Sequence, residues 1–433
     1  MCYIAINIKY NRQIALYTSP HQLEPFLPQQ RAQLRDLALQ VFEESAAFDA
    51  SLRAPTTEAI AALVTEMNCY YSNLIEGNHT KPASIHRALL MEFSEESTER
   101  VLQQLAVAHI DAEKSMQKRL AQAPGLNVYS PEFLRSLHHA FCLHLPEELL
   151  QVKSEEDGKM LKNVPGHFRD SEVKVGAHVP PTYSSLQRFL DRFEEVYSSP
   201  RDRIDQLIAA MAAHHRLVWI HPFLDGNGRV ARLFTQACLY RLGINQRWVW
   251  SISRGLAIKK KNTDLGFPGT YKGMLGAADL SRQGDLDGRG NLSAKSLEEF
   301  CEFMLRICLD QIRYMRKCLD LDELEKRIGN YVEHARLRGS LRKESAYLVI
   351  EAFKSGQIAR GEASRLTGLA ERTARSLLGE LIKSGLLHSD SPKGPVKLGI
   401  PIDAVSWFFP QLYPPGELDS DFQLWDPPMK SRQ

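Results

Sequence analysis

The chain has 433 residues, of which 43% are hydrophobic and 24% are charged, and its formal net charge is +2 at pH 7. This composition is typical of a globular protein with two or three domains, and it excludes a polycation that binds nucleic acid along its whole length. Seven scattered cysteines without a CxxC pair argue against a disulfide framework and indicate a reducing compartment. No signal-peptide pattern and no run of about 18 apolar residues is found, so we expect a cytoplasmic protein without a membrane span.

Helical patterns begin near residue 55. Six apolar residues recur there with the spacing of one helix face, namely Ile60, Leu63, Val64, Met67, Tyr71 and Leu74. Gly77 follows them and is a typical helix stop. Apolar stripes at 102–110 and 133–141 predict further helices, and strand-like alternation is rare. The fold class is therefore predicted to be mainly α.

One short segment, SEVKVGAHVPP at residues 171–181, alternates as a strand does. Val173 and Val175 alternate with polar residues, Gly176 is typical of a turn, and two prolines end the element. We predict a small β-hairpin at this position.

The polar, glycine-rich segment 282–293 matches a calcium-binding loop only in part. Ser296 stands where such a loop closes with a glutamate. We therefore predict a turn, followed by a helix whose first turn contains the capping box Ser296-x-x-Glu299.

The pattern changes after about residue 340. From there on the sequence predicts a helix, a helix–turn–helix and a hairpin with a Pro/Gly tip. This is the order of elements in a winged helix. Residues 342–397 contain ten Lys or Arg against six Asp or Glu, so this part is mildly basic.

The most informative stretch is HPFLDGNGRVAR at residues 221–232, which lies between two apolar runs. The run 226–228 can direct several backbone N–H groups toward one point, and a helix that begins there adds the positive end of its dipole. Such a turn is an anion site, and phosphate is its usual occupant. Arg229 and Arg232 share a helix face and can bind further phosphate oxygens.

Two more side chains in this stretch complete a reactive set. Asp225 supplies a hard oxygen ligand that suits Mg²⁺ beside phosphates. His221 is the side chain here that can accept a proton near neutral pH. Together these groups indicate the transfer of a phosphate-containing group to a hydroxyl.

The same stretch resembles the signature of the Fic family, His-x-Phe-x-Asp/Glu-Gly-Asn-Gly-Arg-x-x-Arg, at every position. The segment PGHFRDSEVKVGAHVPP at 165–181 resembles the family's flap hairpin, and LHHAFCLHLPEE and SISRGLA are also similar to family segments. The resemblance covers about residues 55–320. The part after residue 340 resembles the winged-helix extension of some bacterial members.

The resemblance implies transfer of AMP from ATP to a Ser, Thr or Tyr hydroxyl of a protein. His221 would act as the general base on that hydroxyl, and Asp225 would bind Mg²⁺ between the α- and β-phosphates. The hydroxyl would attack the α-phosphorus, and pyrophosphate would leave. The partners implied are ATP and an unknown target protein, with self-modification as a further outcome.

Further motif positions are implied to bind the nucleotide. Gly226, Asn227 and Gly228 would form the anion hole, and Arg229 and Arg232 would bind the outer phosphates.

Other family features fall outside the signature. Lys174, Val175 and Gly176 would lie in the flap, whose edge can pair with an extended target segment. Tyr271 stands where family members often carry a Tyr-Tyr pair near the adenine, and here the second position is Lys272.

A second motif, SNLIEGN at residues 72–78, resembles the family's inhibitory motif, Ser/Thr-x-x-x-Glu-Gly/Asn. Ser72 and Glu76 are four residues apart and share a helix face. The resemblance implies that Glu76 pairs with Arg232, which would otherwise bind the γ-phosphate, so that ATP binds in an unreactive pose.

The predicted architecture is thus a Fic-type helical bundle with a small β-hairpin flap and a C-terminal winged-helix domain. The predicted segments are an N-terminal segment at 1–54, the inhibitory helix with its flanking helices at 55–130, the catalytic core at 131–255, a helical extension at 256–340, the winged helix at 341–412 and a tail at 413–433.

Two rival functions stay open at this point. Some relatives with the inhibitory Glu remove AMP and others transfer a different phosphate-containing group, so the reaction at the same site is one alternative. The winged helix suggests instead a DNA-binding regulator with Arg372 and Arg375 on its recognition helix. A zinc site at 138–144 is disfavoured because its His and Cys residues do not share one helix face. A homodimer that hides or frees the inhibitory helix is plausible.

Overall fold

The computed structural model describes residues 17–29, 32–52, 54–153, 158–199, 201–258 and 269–418. The fold is mainly α, as predicted. The helices are α1 (Ala32–Ser51), α2 (Ala54–Ile75), α3 (Pro82–Leu89), α4 (Ser97–Gln122), α5 (Pro131–Cys142), α6 (Leu186–Ser198), α7 (Arg203–Ile220), α8 (Asn227–Arg241), α9 (Ile252–Ala257), α10 (Tyr271–Ala278), α11 (Ala294–Cys318), α12 (Leu321–Leu337), α13 (Ser345–Ser355), α14 (Ala363–Thr367), α15 (Glu371–Lys383) and α16 (Ile402–Phe408).

The strands are short: β1 (Gln151–Lys153), β2 (Met160–Lys162), β3 (Gln357–Ile358), β4 (Leu387–His388) and β5 (Val396–Leu398). Most of the predicted N-terminal segment before residue 17, and the tail after residue 418, lie outside the described residues. Within the ranges given above, no helix combines the length and the apolar character that crossing a bilayer requires.

Helices α7 and α8 form the centre of the molecule. Helix α7 packs against α1, α6, α8 and α11, and α8 packs against α4 and α5. Most side chains of α7 from Leu207 to Ile220 are buried, which explains why an almost continuous apolar sequence forms this helix. The turn between α7 and α8 therefore emerges from a core that is packed on every side.

Helix α2 has its predicted apolar face and lies against α4 and α9. Its C-terminal half also contacts the segment that follows α16. The Tyr71 hydroxyl donates to the carbonyl oxygen of Leu412 at 2.8 Å, and the rings of Tyr70 and Tyr413 pack edge to face with centroids 5.1 Å apart. Thus α2 is packed on two sides.

The predicted hairpin at 171–181 is smaller than its pattern suggested. A single antiparallel bridge joins Val175 to His178 around the turn at Gly176, where φ is +61°. Val173 is buried whereas Val175 is 36% exposed, because no ladder extends far enough to give both residues the same face. The two-stranded sheet of this region is instead β1–β2, which the sequence did not predict.

The C-terminal unit runs α13, β3, α14, α15, β4 and β5, with strand order β3-β5-β4. The predicted hairpin is β4–β5, and β3 was missed because two residues are too few for a recognisable alternation. The interpretation as a winged helix and the segment boundaries proposed from the sequence stay predictions.

The start of α11 corrects the predicted capping box. Helix α11 begins at Ala294, and its N-cap is Ser293, whose hydroxyl accepts a hydrogen bond from the backbone N–H of Ser296 at 3.0 Å. The prediction placed the helix start three residues too late, because Ser296 and Glu299 fit the capping pattern as well as Ser293 does.

Replacement of Ser293 by Ala should expose this cap in hydrogen exchange. We expect the first-turn amides of α11 to lose about 1 kcal/mol of protection, which is about a fivefold faster exchange. The variant Ser296→Ala serves as the control and should leave these rates unchanged. Equal effects of the two substitutions would contradict the assignment of the cap to Ser293.

Candidate active site

The turn between α7 and α8 has two residues in the left-handed region. His221 follows the last residue of α7 with φ +52°, and Gly226 precedes α8 with φ +84°. Between them the chain is fixed by Asn227, whose side-chain oxygen accepts from Phe223 N at 2.9 Å and whose amide donates to Phe223 O at 2.8 Å. The N–H groups of α8's first turn consequently point out of the turn at the positive end of the helix.

The imidazole of His221 is buried at the edge of this turn. Neither ring nitrogen has a hydrogen-bond partner among the described residues. Burial, reinforced by the positive charge of Arg169, lowers the pKa of His221 to about 3. The ring is therefore neutral near pH 7, with a nitrogen lone pair available to accept a proton.

Two charged side chains flank the turn. Asp225 is half-buried, and its pKa is raised because burial outweighs the nearby charge of Arg229. Arg229 donates through Nε to Asn73 Oδ1 at 3.0 Å and lies over the ring of Phe141, with 5.0 Å from Cζ to the centroid. Its Nη2 is buried without a hydrogen-bond acceptor in the described part of the chain, so this donor is unused.

The end of α2 reaches into the same turn. Arg232 donates through Nη2 to Glu76 Oε1 at 2.7 Å and to Ser72 O at 3.0 Å, and through Nε to Ser72 Oγ at 2.9 Å. A Cβ placed on Gly228 would overlap the carboxylate of Glu76. The carboxylate therefore lies directly on the glycine-rich turn, at the place suited to an anion.

The electrostatics of Glu76 follow from these neighbours. Burial alone would raise its pKa, but the charges of Arg232 and Arg229 outweigh burial and hold the pKa below its ordinary value. Glu76 is thus ionised at neutral pH. The ion pair stabilises the fold above the ordinary glutamate pKa, and this contribution is lost only as the pH falls through the lowered value.

The predicted flap residues lie at the tip of the small hairpin. Val175 and Gly176 are exposed, and Lys174 is half-buried. The hairpin is attached to α7 through His178, whose Nε2 donates to the carbonyl oxygen of Trp219 at 2.8 Å. Trp219 precedes His221 by two residues. The hairpin is therefore hydrogen-bonded to the same end of α7 from which His221 follows.

Tyr271 is buried in a hydrogen-bonded chain. Its hydroxyl lies 2.7 Å from His214 Nε2, and His214 Nδ1 lies 2.6 Å from Thr235 Oγ1, which itself donates to Ala231 O. The hydroxyl of Tyr271 therefore donates to His214. An adenine contact of Tyr271 stays a prediction.

Sequence reasoning missed three residues of this site, namely Asn73, His138 and Arg169. His138 had been considered only as a metal ligand, yet its Nδ1 accepts from Gly166 N at 2.9 Å and its Nε2 lies 3.2 Å from Asp225 O. Because a carbonyl can only accept, Nε2 bears the proton. One feature of the sequence pointed to His138: it lies on the apolar stripe of α5, and such a position predicts a buried side chain.

The comparisons with known proteins concern this part of the chain. Residues 129–239 match the profile of the Fic/DOC family. The matched residues include α5, α7, most of α8 and the whole turn described above.

Curated relatives match over a short region. The proteins named protein adenylyltransferase Fic from Drosophila grimshawi and Drosophila yakuba are each 43% identical over 79 residues, which are 18% of this chain and 16% of each relative. The chain thus spans 16% of the length of these relatives.

Solved structures of similar proteins include a Fic family protein from Desulfovibrio desulfuricans G20, at 15% identity and a TM-score of 0.47, with 88% of this chain and 98% of that chain covered. A structure of Fic-1 from C. elegans has 14% identity and a TM-score of 0.45 and covers 66% of this chain and 72% of that chain.

Replacement of Gly228 by Ala tests the position of the Glu76 carboxylate without any assay of activity. The added Cβ should destabilise the fold by about 1–3 kcal/mol, because it overlaps the carboxylate. In a Glu76→Gly background the same substitution should cost much less, since the overlap is gone. A double-mutant cycle in thermal or chemical unfolding measures this coupling. Equal costs in the two backgrounds would show that the carboxylate is elsewhere.

Proposed function

We propose that the chain is an autoinhibited protein adenylyltransferase, which transfers AMP from ATP to a Ser, Thr or Tyr hydroxyl of a protein and releases pyrophosphate. One observation carries the proposal: the Glu76 carboxylate lies on a glycine-rich, helix-initiating turn, paired with Arg232. An anion site with a neutral imidazole at its edge suits a nucleotide and a hydroxyl nucleophile. The names of the curated relatives support the same reaction.

The proposed step uses groups that the turn already presents. The neutral His221 accepts the proton of the target hydroxyl, while that oxygen forms a bond to the α-phosphorus of ATP. The bond from the α-phosphorus to the bridging oxygen breaks, and its electrons leave with pyrophosphate. The N–H groups of α8 and the side chain of Arg229 stabilise the charge on the phosphates.

Asp225 is the residue that would bind Mg²⁺. In the part of the chain that the structure describes, no group of three or more His, Cys, Asp or Glu side chains could hold a metal ion. A cation at Asp225 would therefore take most of its ligands from the nucleotide and water, which is usual for Mg²⁺ beside phosphates. Bound there, Mg²⁺ supplies positive charge that neutralises the phosphate oxygens.

Inhibition follows from competition for one cationic group. Arg232 donates through Nε and Nη2 to Ser72 and Glu76, so these two groups of its guanidinium are not available to a phosphate. A phosphate that replaces Glu76 must break this pair and separate buried charges. A cost of about 3 kcal/mol, as expected for such a pair, corresponds to roughly a hundredfold loss of activity.

Removal of the carboxylate tests the proposal. Glu76→Gly with ATP and Mg²⁺ should raise self-modification by about a hundredfold, seen in intact-mass spectrometry as the mass of one AMP. Addition of His221→Ala should abolish the gain, because no base remains. Glu58→Gly is the control, since it makes the same Glu-to-Gly change at an exposed residue of α2 that is paired with Lys397 and not with Arg232.

The outcomes separate the competing reactions. Equal AMP incorporation by wild type and Glu76→Gly would contradict inhibition by Glu76. Label transferred from γ-labelled but not α-labelled ATP would indicate kinase-like transfer. Removal of AMP from modified protein by wild type, and not by Glu76→Gly, would instead identify a hydrolase of AMP-protein that uses Glu76 to orient water.

A second candidate function is DNA binding by the C-terminal unit. Helix α15 buries Ala374, Leu377, Leu378 and Leu381, so its opposite face is available. Arg372 and Arg375 are exposed on that face and make no ion pair with the described residues. An exposed second helix of a helix–turn–helix with two such cations can enter a DNA groove.

Substitution of both arginines tests this activity. The double variant Arg372→Ala/Arg375→Ala should weaken binding of duplex DNA at least tenfold and reduce the slope of log affinity against log salt by about two. The control is Arg336→Ala, which removes an exposed arginine of α12 that is paired with Glu333. Affinity that does not differ between the double variant and the control would exclude α15 as the DNA-binding element.

A further inference from the structure

Arg169 is buried in the segment that carries the small hairpin, although the sequence suggested an exposed flap. Its side chain is 0% exposed. All three groups of its guanidinium are used. Nε donates to His221 O at 2.9 Å, Nη1 donates to Ser171 O at 3.0 Å, and Nη2 donates to Pro181 O.

The hydrogen-bond acceptors of Arg169 lie at both ends of the hairpin segment and on the turn after α7. Ser171 and Pro181 are the two ends of the hairpin segment, and His221 carries the imidazole. The main chain of Arg169 adds a fourth contact, because its backbone N–H donates to Pro222 O at 2.9 Å. One residue therefore joins both ends of the hairpin to the two consecutive carbonyl groups that begin the catalytic turn.

His221 depends on such a contact more than most histidines do. A non-glycine residue in the left-handed region costs roughly 1–2 kcal/mol and persists only where its surroundings fix it. No side chain among the described residues hydrogen-bonds to either ring nitrogen, so no carboxylate orients the ring. The backbone at His221 sets the point from which the imidazole projects, and Arg169 binds the carbonyl of that residue.

The charges around Arg169 also indicate that its side chain serves to hold these carbonyl groups. Glu172 lies 3.8 Å from Arg169 Nη1, and its side chain is 37% exposed. The charge of the guanidinium is therefore stabilised mainly by the dipoles of the three carbonyl groups. An arginine is favoured over lysine at this position, since a planar fork can serve three carbonyls and an ammonium cannot do so in the same geometry.

We propose that Arg169 is the positioning residue that fixes the imidazole of His221 and the docking hairpin 171–181 in one frame. The proposal rests on the proposed transfer reaction, in which the hairpin presents a target hydroxyl to His221. Arg169 acts through the backbone and does not touch the substrate. Loss of its contacts displaces the base relative to the hydroxyl, while the phosphate-binding groups of α8 stay in place.

The test compares Arg169→Lys and Arg169→Gln with Arg135→Lys and Arg135→Gln, all in the Glu76→Gly background. Arg135 is the matched control, because its Nε donates to Gly166 O at 2.9 Å in the same segment without contacting His221. We expect kcat for AMP transfer to fall about a hundredfold in both Arg169 variants, with KM for ATP changed less than threefold. The Arg135 variants should keep kcat within threefold.

Two measurements keep the result interpretable. Thermal unfolding shows whether each variant is folded at the assay temperature, and Arg169→Lys carries the test if Arg169→Gln does not fold. Hydrogen exchange of residues 219–225 needs no turnover and should become faster in the Arg169 variants than in the Arg135 variants.

The outcomes distinguish the two proposals. If Glu76→Gly with Arg169 intact incorporates no AMP, the transfer reaction is wrong, and hydrogen exchange alone decides the positioning role. If the Arg169 variants transfer AMP with unchanged kcat, or exchange at 219–225 as slowly as the controls, the positioning role is wrong. A rise in KM for ATP that accounts for the whole loss would also overturn it, because that result indicates nucleotide binding.

Discussion

The left-handed backbone at His221 is the constraint on which the rest of the site depends. It ends α7 and turns the chain so that α8 can begin six residues later with its N–H groups directed toward a common point. The strain is held by contacts that come from elsewhere in the fold: Arg169 binds the carbonyl of His221, and His138 lies within hydrogen-bond distance of the carbonyl of Asp225. Helix α5 and the hairpin segment thus both bind the turn, as a preorganised anion site would require.

Helix α2 brings a carboxylate to that turn, and packing on the segment after α16 holds the helix in place. Tyr71 and Tyr70 are fixed against Leu412 and Tyr413, and His79 lies 2.8 Å from Glu417, so the segment after α16 covers the end of α2. A rigid-body shift of α2 would break all of these contacts. Glu76, however, lies one residue beyond the helix and directly before Gly77, whose φ is +84°. Glu76 therefore belongs to the turn at residues 76–78, outside the part of α2 that these contacts hold.

The sequence predicted those parts of the site that lie close together along the chain. The apolar stripe of α2, the i, i+4 pair Ser72 and Glu76, and a helix beginning at the glycine-rich run all follow from local periodicity and spacing. Contacts between distant segments were not predictable in this way. His138 and Asp225 are 87 residues apart, and Arg169 and His221 are 52 apart, so neither pair leaves a spacing signal. A buried arginine in a segment that reads as an exposed hairpin is also invisible to composition, because its burial is decided by three carbonyl groups that only the folded chain brings together.

The same positive surroundings act on the two key titratable groups in ways that reinforce each other. Arginine charges lower the pKa of Glu76 below its ordinary value, and burial together with Arg169 lowers the pKa of His221 to about 3. A lowered pKa makes the carboxylate charged and the imidazole neutral. At neutral pH the imidazole can therefore accept a proton, and the carboxylate is in the form that pairs with Arg232. Both shifts lower the pKa further below neutral pH, so mild acidification from pH 7 leaves the carboxylate charged and the imidazole neutral.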